Sequence, residues 1–194
     1  TTDIKITGYN SNNNYTIGGK VEDLEKMKSQ AHAMGIVCVI LDVTHAFHTN
    51  DMERASEVFY NKIKNKEFNG IHKCIISTVT GKELDSKTDL PEYLRQQILK
   101  PVNFEAAIKF LSNQNIAFVE VGPGNSLQTL LKMHRASPSI SVDYGADKPN
   151  GLFQAMALSF VLGQEVNFED YFYTKSTKDF NIDNWELKTL SNPC

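Results

Sequence analysis

Cysteine is scarce in this 194-residue chain: there are three, Cys38, Cys74 and Cys194. An odd number without Cys-x-x-Cys spacing excludes both a disulfide framework and a zinc knuckle. Cys38 lies in the apolar run 36–41 and Cys74 beside Ile75 and Ile76, so each reads as a small core side chain in a reducing compartment. Long hydrophobic runs are missing too. Nothing approaches the ~18 apolar residues of a membrane helix, and the N-terminus lacks the basic start and apolar stretch of a signal peptide. The expectation is a soluble cytoplasmic protein with no membrane partner. Neither sign of charge dominates: 20 Lys and Arg stand against 23 Asp and Glu, a net charge of −3. The chain therefore carries no global footprint for nucleic acid or anionic lipid. What is present, 41% hydrophobic and 22% charged residues, is ordinary globular usage and excludes disordered and collagen-like classes. The length suits one domain, or one with a small appendage.

Along the chain, strand and helix patterns alternate. Ile4 and Ile6 alternate with polar neighbours, the asparagine-rich stretch 10–14 makes a turn, and residues 15–17 read as a short return strand. Val21, Leu24, Met27, Ala31 and Met34 recur at helical spacing, with Glu22 and Asp23 in the first turn and Gly35 as a C-terminal stop. Residues 36–43 then run almost continuously apolar, as a strand buried on both faces would. Asn50 can cap a helix carrying Met52, Ala55, Val58, Phe59 and Ile63, and residues 74–79 read as another strand. Two helical patterns flank Pro101, the second capped by Asn103 and striped by Phe104, Ala107, Ile108 and Leu111. Residues 117–121 form a strand, Gly122-Pro-Gly124 a tight turn, and Leu127, Leu130 and Leu131 a short helix. A strand at 140–142, a helix up to Gly163 and a polar tail beyond Phe172 complete the reading. The alternation predicts an α/β fold, with a mostly parallel sheet from about Cys74 onward after a smaller α+β unit.

Two clusters could carry chemistry. In Val43-Thr-His-Ala-Phe-His48-Thr, two histidines three apart leave the predicted buried strand and meet a helix start, where catalytic groups commonly sit. His45 and His48 could be metal ligands if Asp42, Asp51 or Glu53 joined them. They could be packed or surface side chains without chemical work. One could be a general base, with a nucleophile on one ring nitrogen and an orienting acceptor on the other. The sequence by itself does not rank the three. In Glu120-Val-Gly-Pro-Gly-Asn-Ser126, a glycine-flanked turn opening a helix could offer backbone amides to an anion. Its spacing fits neither a phosphate loop nor a dinucleotide fingerprint, so a tight strand-to-helix turn is preferred. The nucleophile-elbow pattern fails for Ser126 because the closing glycine is absent.

At these residues the chain resembles the acyltransferase domain of modular polyketide synthases and, more distantly, the malonyl-CoA acyl-carrier-protein transacylases. His45-Ala-Phe-His48 matches the family's His-Ala-Phe-His motif, and Glu120-Val-Gly-Pro-Gly124 with Leu127 matches its second hallmark. Gln97-Ile-Leu-Lys-Pro101-Val-Asn-Phe104, Ser77-Thr-Val-Thr-Gly81, and Gly8-Tyr-Asn-Ser11 with Tyr15-Thr-Ile-Gly18-Gly19 resemble further family segments. Leu190-Ser-Asn-Pro193 resembles the linker that follows the domain.

The resemblance implies the C-terminal part of an α/β-hydrolase-like acyltransferase core with a ferredoxin-like small subdomain. The division expected is 1–48 for the small subdomain, 49–172 for the core and 173–194 for the linker. The implied activity is ping-pong transfer of a malonyl unit through an acyl-serine ester. His48 falls at the general base and the backbone carbonyl of Gln97 at the group that orients it, while His45 and Phe47 fall at positions shaping the extender-unit pocket. A bulky Phe47 leaves less room for an α-methyl branch, so the motif implies malonyl preference. No metal and no bound cofactor are implied. Malonyl-CoA is substrate, and the phosphopantetheine arm belongs to an acyl carrier protein. The implied partners are that carrier protein, an adjacent ketosynthase domain and the N-terminal half of the acyltransferase. The family's Gly-His-Ser-x-Gly nucleophile segment, its oxyanion segment and its carboxylate-gripping arginine have no counterpart in this sequence. Two expectations follow: part of an active malonyltransferase, or a non-catalytic remnant that docks a separate acyltransferase.

Overall fold

The computed structural model describes residues 3–112, 114–135, 138–143 and 151–173. Strands β1 (Lys5–Ser11) and β2 (Asn14–Gly18) form an antiparallel hairpin in which Lys5 faces Gly18 and Ser11 faces Asn14. The asparagine-rich stretch closes it through Asn12 and Asn13. The Asn10 amide donates to Asn14 Oδ1 at 2.9 Å and to Thr16 Oγ1 at 3.1 Å, and the Tyr15 hydroxyl donates to the Asn12 carbonyl at 2.9 Å. Side chains that favour a turn thus also clamp this one.

Helix α1 (Val21–Ala33) has Glu22 and Asp23 in its first turn, and Gly35 follows it at φ +73°, the left-handed stop its sequence predicts. None of its residues is buried, so its apolar stripe is not packed into a core. The larger departure is at residues 36–43. Expected as a doubly buried strand, they belong to no strand, and Val37 and Val39 are 89% and 77% exposed. An apolar run records a demand for burial, but a strand exists only through its pairing, and no described strand pairs with this one.

Thr49, rather than Asn50, caps the next element: its Oγ1 accepts the Asp51 amide at the start of a 3-10 turn (Asn50–Met52) that runs into α2 (Glu53–Ile63). Helix α3 (Leu90–Leu99) is capped by Asp89 and packs on α2. Between them, residues 74–79 do not form the expected strand. A single antiparallel bridge joins Ile76 to Glu83, and the buried Ser77 hydroxyl accepts the Val79 and Thr80 amides at 3.0 and 3.1 Å. Gly81 completes the reversal at φ +70°. Local side-chain-to-backbone bonding overrides the β-rich composition here, and Cys74 is exposed instead of lying in the core.

Strand β3 (Val102–Asn103) runs parallel to β1, giving the order β2-β1-β3. Asn103 caps α4 (Phe104–Leu111), as its sequence position predicts, by accepting the Ala106 amide at 3.2 Å. Strands β4 (Phe118–Glu120) and β5 (Ser139–Ser141) pair in parallel, with α5 (Ser126–Met133) between them in sequence. The parallel sheet expected from Cys74 onward is therefore this two-stranded unit, while β3 joins the N-terminal hairpin instead. Helices α6 (Gly151–Val161) and α7 (Phe168–Tyr173) follow; α7 was not foreseen. A Cβ at Gly151 would stand 2.5 Å from the Val142 carbonyl oxygen, so only glycine lets α6 start this close to β5. His134 ties the two units together, its Nε2 lying 2.7 Å from the Asn10 carbonyl oxygen and its ring meeting Phe104 edge-on. The fold is α/β. Apart from Tyr173, the expected linker, including Trp185 and Pro193, lies outside the described residues.

Candidate functional site

The two motif histidines, neighbours in sequence, occupy different environments. His45 is exposed, with Nδ1 2.8 Å from Thr44 Oγ1. Its ring centroid is 6.2 Å from that of Phe47, tilted by 53°, and Phe47 is itself 46% exposed. His48 is half-buried and stands at φ +62°. For a residue with a Cβ the left-handed region costs roughly 1–2 kcal/mol, and such strain is held only where surroundings over-determine it.

Those surroundings are specific. The His48 amide donates to the Ile98 carbonyl at 3.2 Å. The buried Thr49 hydroxyl donates back to the Ala46 carbonyl at 2.6 Å while accepting from Asp51. A Cβ at Gly18 would come within 2.9 Å of Thr7 Cγ2, 3.4 Å of Thr49 Cγ2 and 3.6 Å of Ala46 Cβ. The loop is thus seated on the end of the hairpin and pinned to the last turn of α3.

His48 Nδ1 is buried and makes no hydrogen bond among the described residues. Leaving such a group unpaired costs about 1–3 kcal/mol, so a nearby acceptor matters. The last turn of α3 offers one for a covalent reason. A helical carbonyl is satisfied by the amide four residues on, and for Gln97 that residue is Pro101, which has no N–H. The Lys100 amide is already given to the Gln96 carbonyl at 2.8 Å. Gln97 therefore presents a backbone carbonyl without a helical donor on the turn that His48 touches. The contact actually formed is one residue further along, from the His48 amide to Ile98, and no bond joins Nδ1 to Gln97.

The second motif is a turn and not an anion site. The Glu120 carboxylate accepts the Leu127 amide at 2.9 Å and the Gln128 amide at 2.8 Å. Two of the amides that would greet an anion at the start of α5 are thus already occupied. The Ser141 hydroxyl donates to the Gly124 carbonyl at 2.6 Å and fixes the other side of the turn. No three His, Cys, Asp or Glu side chains cluster as a metal site among the described residues, and neither Asp42, Asp51 nor Glu53 joins the two histidines.

Sequence reasoning missed Tyr93 and Ser77. The Gln97 amide donates to the Tyr93 hydroxyl at 3.2 Å, and Tyr93 donates to Ser77 Oγ at 2.9 Å. The i, i+4 spacing of Tyr93 and Gln97 was a readable signal; the partner sixteen residues upstream was not. On the opposite side of α3, Arg95 donates through Nε and a terminal nitrogen to both oxygens of Glu92 at 2.8 and 2.9 Å, and reaches Glu53 of α2 at 3.4 Å. Hydrogen bonds from Arg95 and then Gln96 hold the Glu92 carboxyl down at about 2.

Residues 1–143 match the family model described as acyl transferase domain. Polyketide synthase 2 of Metarhizium acridum is 27% identical over 178 residues, covering 86% of this chain and 10% of that protein. Probable polyketide synthase 3 of Dictyostelium discoideum is 34% identical over 143 residues, covering 67% of this chain and 5% of that protein. Among solved structures, the acyltransferase domain of the iterative polyketide synthase in enediyne biosynthesis superposes with a TM-score of 0.78 at 27% identity, covering 87% of this chain and 44% of that one. The malonyl CoA-acyl carrier protein transacylase from Clostridium perfringens shares the fold, with a TM-score of 0.70 at 22% identity over 83% of this chain and 52% of that one. The chain spans a tenth or less of these synthases and about half of the solved domains.

Proposed function

This chain belongs to the acyl transferase domain family, and from that premise we propose that it carries the general-base half of a polyketide synthase acyltransferase, moving a malonyl unit from coenzyme A to the phosphopantetheine thiol of an acyl carrier protein. The observation that carries the reading is His48: a half-buried imidazole on a strained backbone, with a buried and unpaired Nδ1 beside the end of α3. A general base needs one ring nitrogen fixed so that the other can face the nucleophile. A carbonyl deprived of its helical donor by Pro101 suits that task, which supports Gln97 as the orienting group.

In this reading a serine from the remainder of the acyltransferase attacks the thioester carbonyl while His48 takes the hydroxyl proton. The tetrahedral intermediate collapses, the coenzyme A sulfur leaves and receives that proton, and an acyl-serine ester remains. The pantetheine thiol then gives its proton to His48 and attacks the ester, and the serine oxygen leaves and receives that proton from His48 as the thiol departs acylated. His45 and Phe47, exposed and side by side one turn before the base, shape the pocket for the extender unit. No metal or bound cofactor takes part.

The proposed partners are the carrier protein, an adjacent ketosynthase domain and the acyltransferase half bearing the serine. That half supplies cover for residues 36–43. The division at 1–48, 49–172 and 173–194 belongs to the same reading, as does a cytoplasmic setting, consistent with no described helix being long and apolar enough to cross a membrane.

The test is the intact mass of the full-length protein before and after malonyl-CoA, with a His48→Ala variant alongside. A malonyl adduct on the wild type, lost in the folded variant, is expected. An adduct unchanged by the substitution removes His48 from the mechanism, and no adduct on the wild type leaves a docking remnant.

A further inference from the structure

Resting on that reading, we infer that the Tyr93 hydroxyl is a positioning residue for the general base. The chain of contacts begins at a fixed point. The turn 77–81 is anchored by the Asn103 amide, which donates to the Thr78 carbonyl at 2.5 Å. Gly81 is pressed against α4 so closely that a Cβ there would lie 2.4 Å from Ala106 Cβ. Ser77, wholly buried in that turn, accepts hydrogen bonds from the Val79 and Thr80 amides and from the Tyr93 hydroxyl. Tyr93 in turn accepts from the Gln97 side-chain amide.

The Gln97 side chain is therefore tethered through Tyr93 to a rigid turn, while its backbone carbonyl lies on the turn of α3 that touches His48. This gives a residue acting through its carbonyl a reason for its side chain. Glutamine at this position fixes the rotation of the last turn of α3, and with it the direction in which the free carbonyl points. Ser77, Tyr93 and Gln97 form one hydrogen-bonded line that ends on the last turn of α3, where the next residue, Ile98, accepts the His48 amide, and misplacing a catalytic group by about an ångström costs up to ~100-fold in rate.

The experiment uses the full-length protein and follows transfer from malonyl-CoA. Tyr93→Phe keeps the ring in place and removes only the hydroxyl. The expected result is kcat lowered about tenfold with KM for malonyl-CoA unchanged. Gln97→Met, which keeps the carbonyl but cuts the tether, should show the same split, and the double variant should be no slower than either single one. In a His48→Ala background, Tyr93→Phe should slow the residual transfer no further, whereas a loss of general structural integrity would slow it again. Wild-type kcat in Tyr93→Phe, or a further loss in the His48→Ala background, overturns the inference. If His48→Ala itself transfers normally, it is the underlying reading of the site that has failed.

Discussion

Glu120 caps the helix that begins six residues after it, its carboxylate accepting the Gln128 amide at 2.8 Å across the Gly122-Pro-Gly124 turn. The residue at the formal N-cap, Asn125, makes no side-chain hydrogen bond to the helix. Glu120 is buried at the end of β4, so one carboxylate joins the strand to α5 and satisfies two of the amides that every helix start leaves orphaned. The glycines allow the reversal, and the glutamate makes it rigid.

Replacing Glu120 by Ala should therefore destabilise the domain by about 1–3 kcal/mol, the cost of a buried donor left without its acceptor. Glu120→Gln, which retains one acceptor oxygen, should lie between. Denaturant midpoints of the full-length protein and its variants check the order. Equal midpoints for wild type and Glu120→Ala would mean that α5 does not depend on this cap.

A pH effect is expected at the packing of α2 on α3. Hydrogen bonds from Arg95 and Gln96 lower the Glu92 carboxyl from 4.5 to about 2, and the same guanidinium reaches Glu53. A carboxyl whose folded value is depressed contributes stability that is complete above its unfolded value and is lost as pH falls through the folded one. The contribution should hold above pH about 4.5 and fade toward about pH 2. Because Glu92 is partly exposed, salt screens it and the effect is small. Unfolding midpoints measured from pH 5 to pH 2 should fall less steeply for Glu92→Gln than for the wild type. Parallel slopes would assign the acid sensitivity to other groups.

Where sequence reasoning worked, the determinants were local. Gly35 stops α1, Asn103 caps α4, and the asparagines close the β1–β2 turn, each through atoms within a few residues. Where it failed, the determinant was a partner elsewhere in the chain or absent from the described residues. Residues 36–43 have strand composition without a neighbouring strand among the described residues. Residues 74–79 have it too, but Ser77 bends them by bonding its own following amides. For the site, family resemblance singled out His48 and Gln97, and the fold brings the His48 amide onto the last turn of α3 beside Gln97. The left-handed backbone of His48, its amide bond to Ile98 and the Tyr93–Ser77 tether were not, because each depends on residues 16 to 50 positions apart that only the fold brings together.

The pocket reading makes a selectivity prediction. His45 and Phe47 are both accessible, with ring centroids 6.2 Å apart. The pair His45→Tyr and Phe47→Ser exchanges ring volume at Phe47 for space and should raise acceptance of methylmalonyl-CoA relative to malonyl-CoA. A single methylene is worth only about 1–3 kcal/mol in discrimination, so a shift of roughly 10-fold in the ratio of kcat/KM values is the scale to expect. Competition between the two donors in the full-length enzyme measures that ratio directly. An unmoved ratio would take these two residues out of the pocket.

Residues 36–43 give the last prediction, because two readings of an exposed valine differ in sign. In this chain Val39 is 77% exposed, and a substitution on an open surface away from special features usually changes stability by no more than ~0.5 kcal/mol. If the remainder of the acyltransferase covers the run, as proposed, Val39 is a core residue of the complete domain. Burying an unpaired carboxylate is then strongly unfavourable. Val39→Asp in the full-length protein should accordingly lower its unfolding midpoint sharply, and Val39→Ile should be nearly neutral. The amides of residues 36–43 should also exchange slowly with deuterated solvent, since a paired and covered strand opens only with the domain. Fast exchange together with a harmless Val39→Asp would mean that the run stays open to solvent, and a surface of this composition would then be expected to recruit a separate chain.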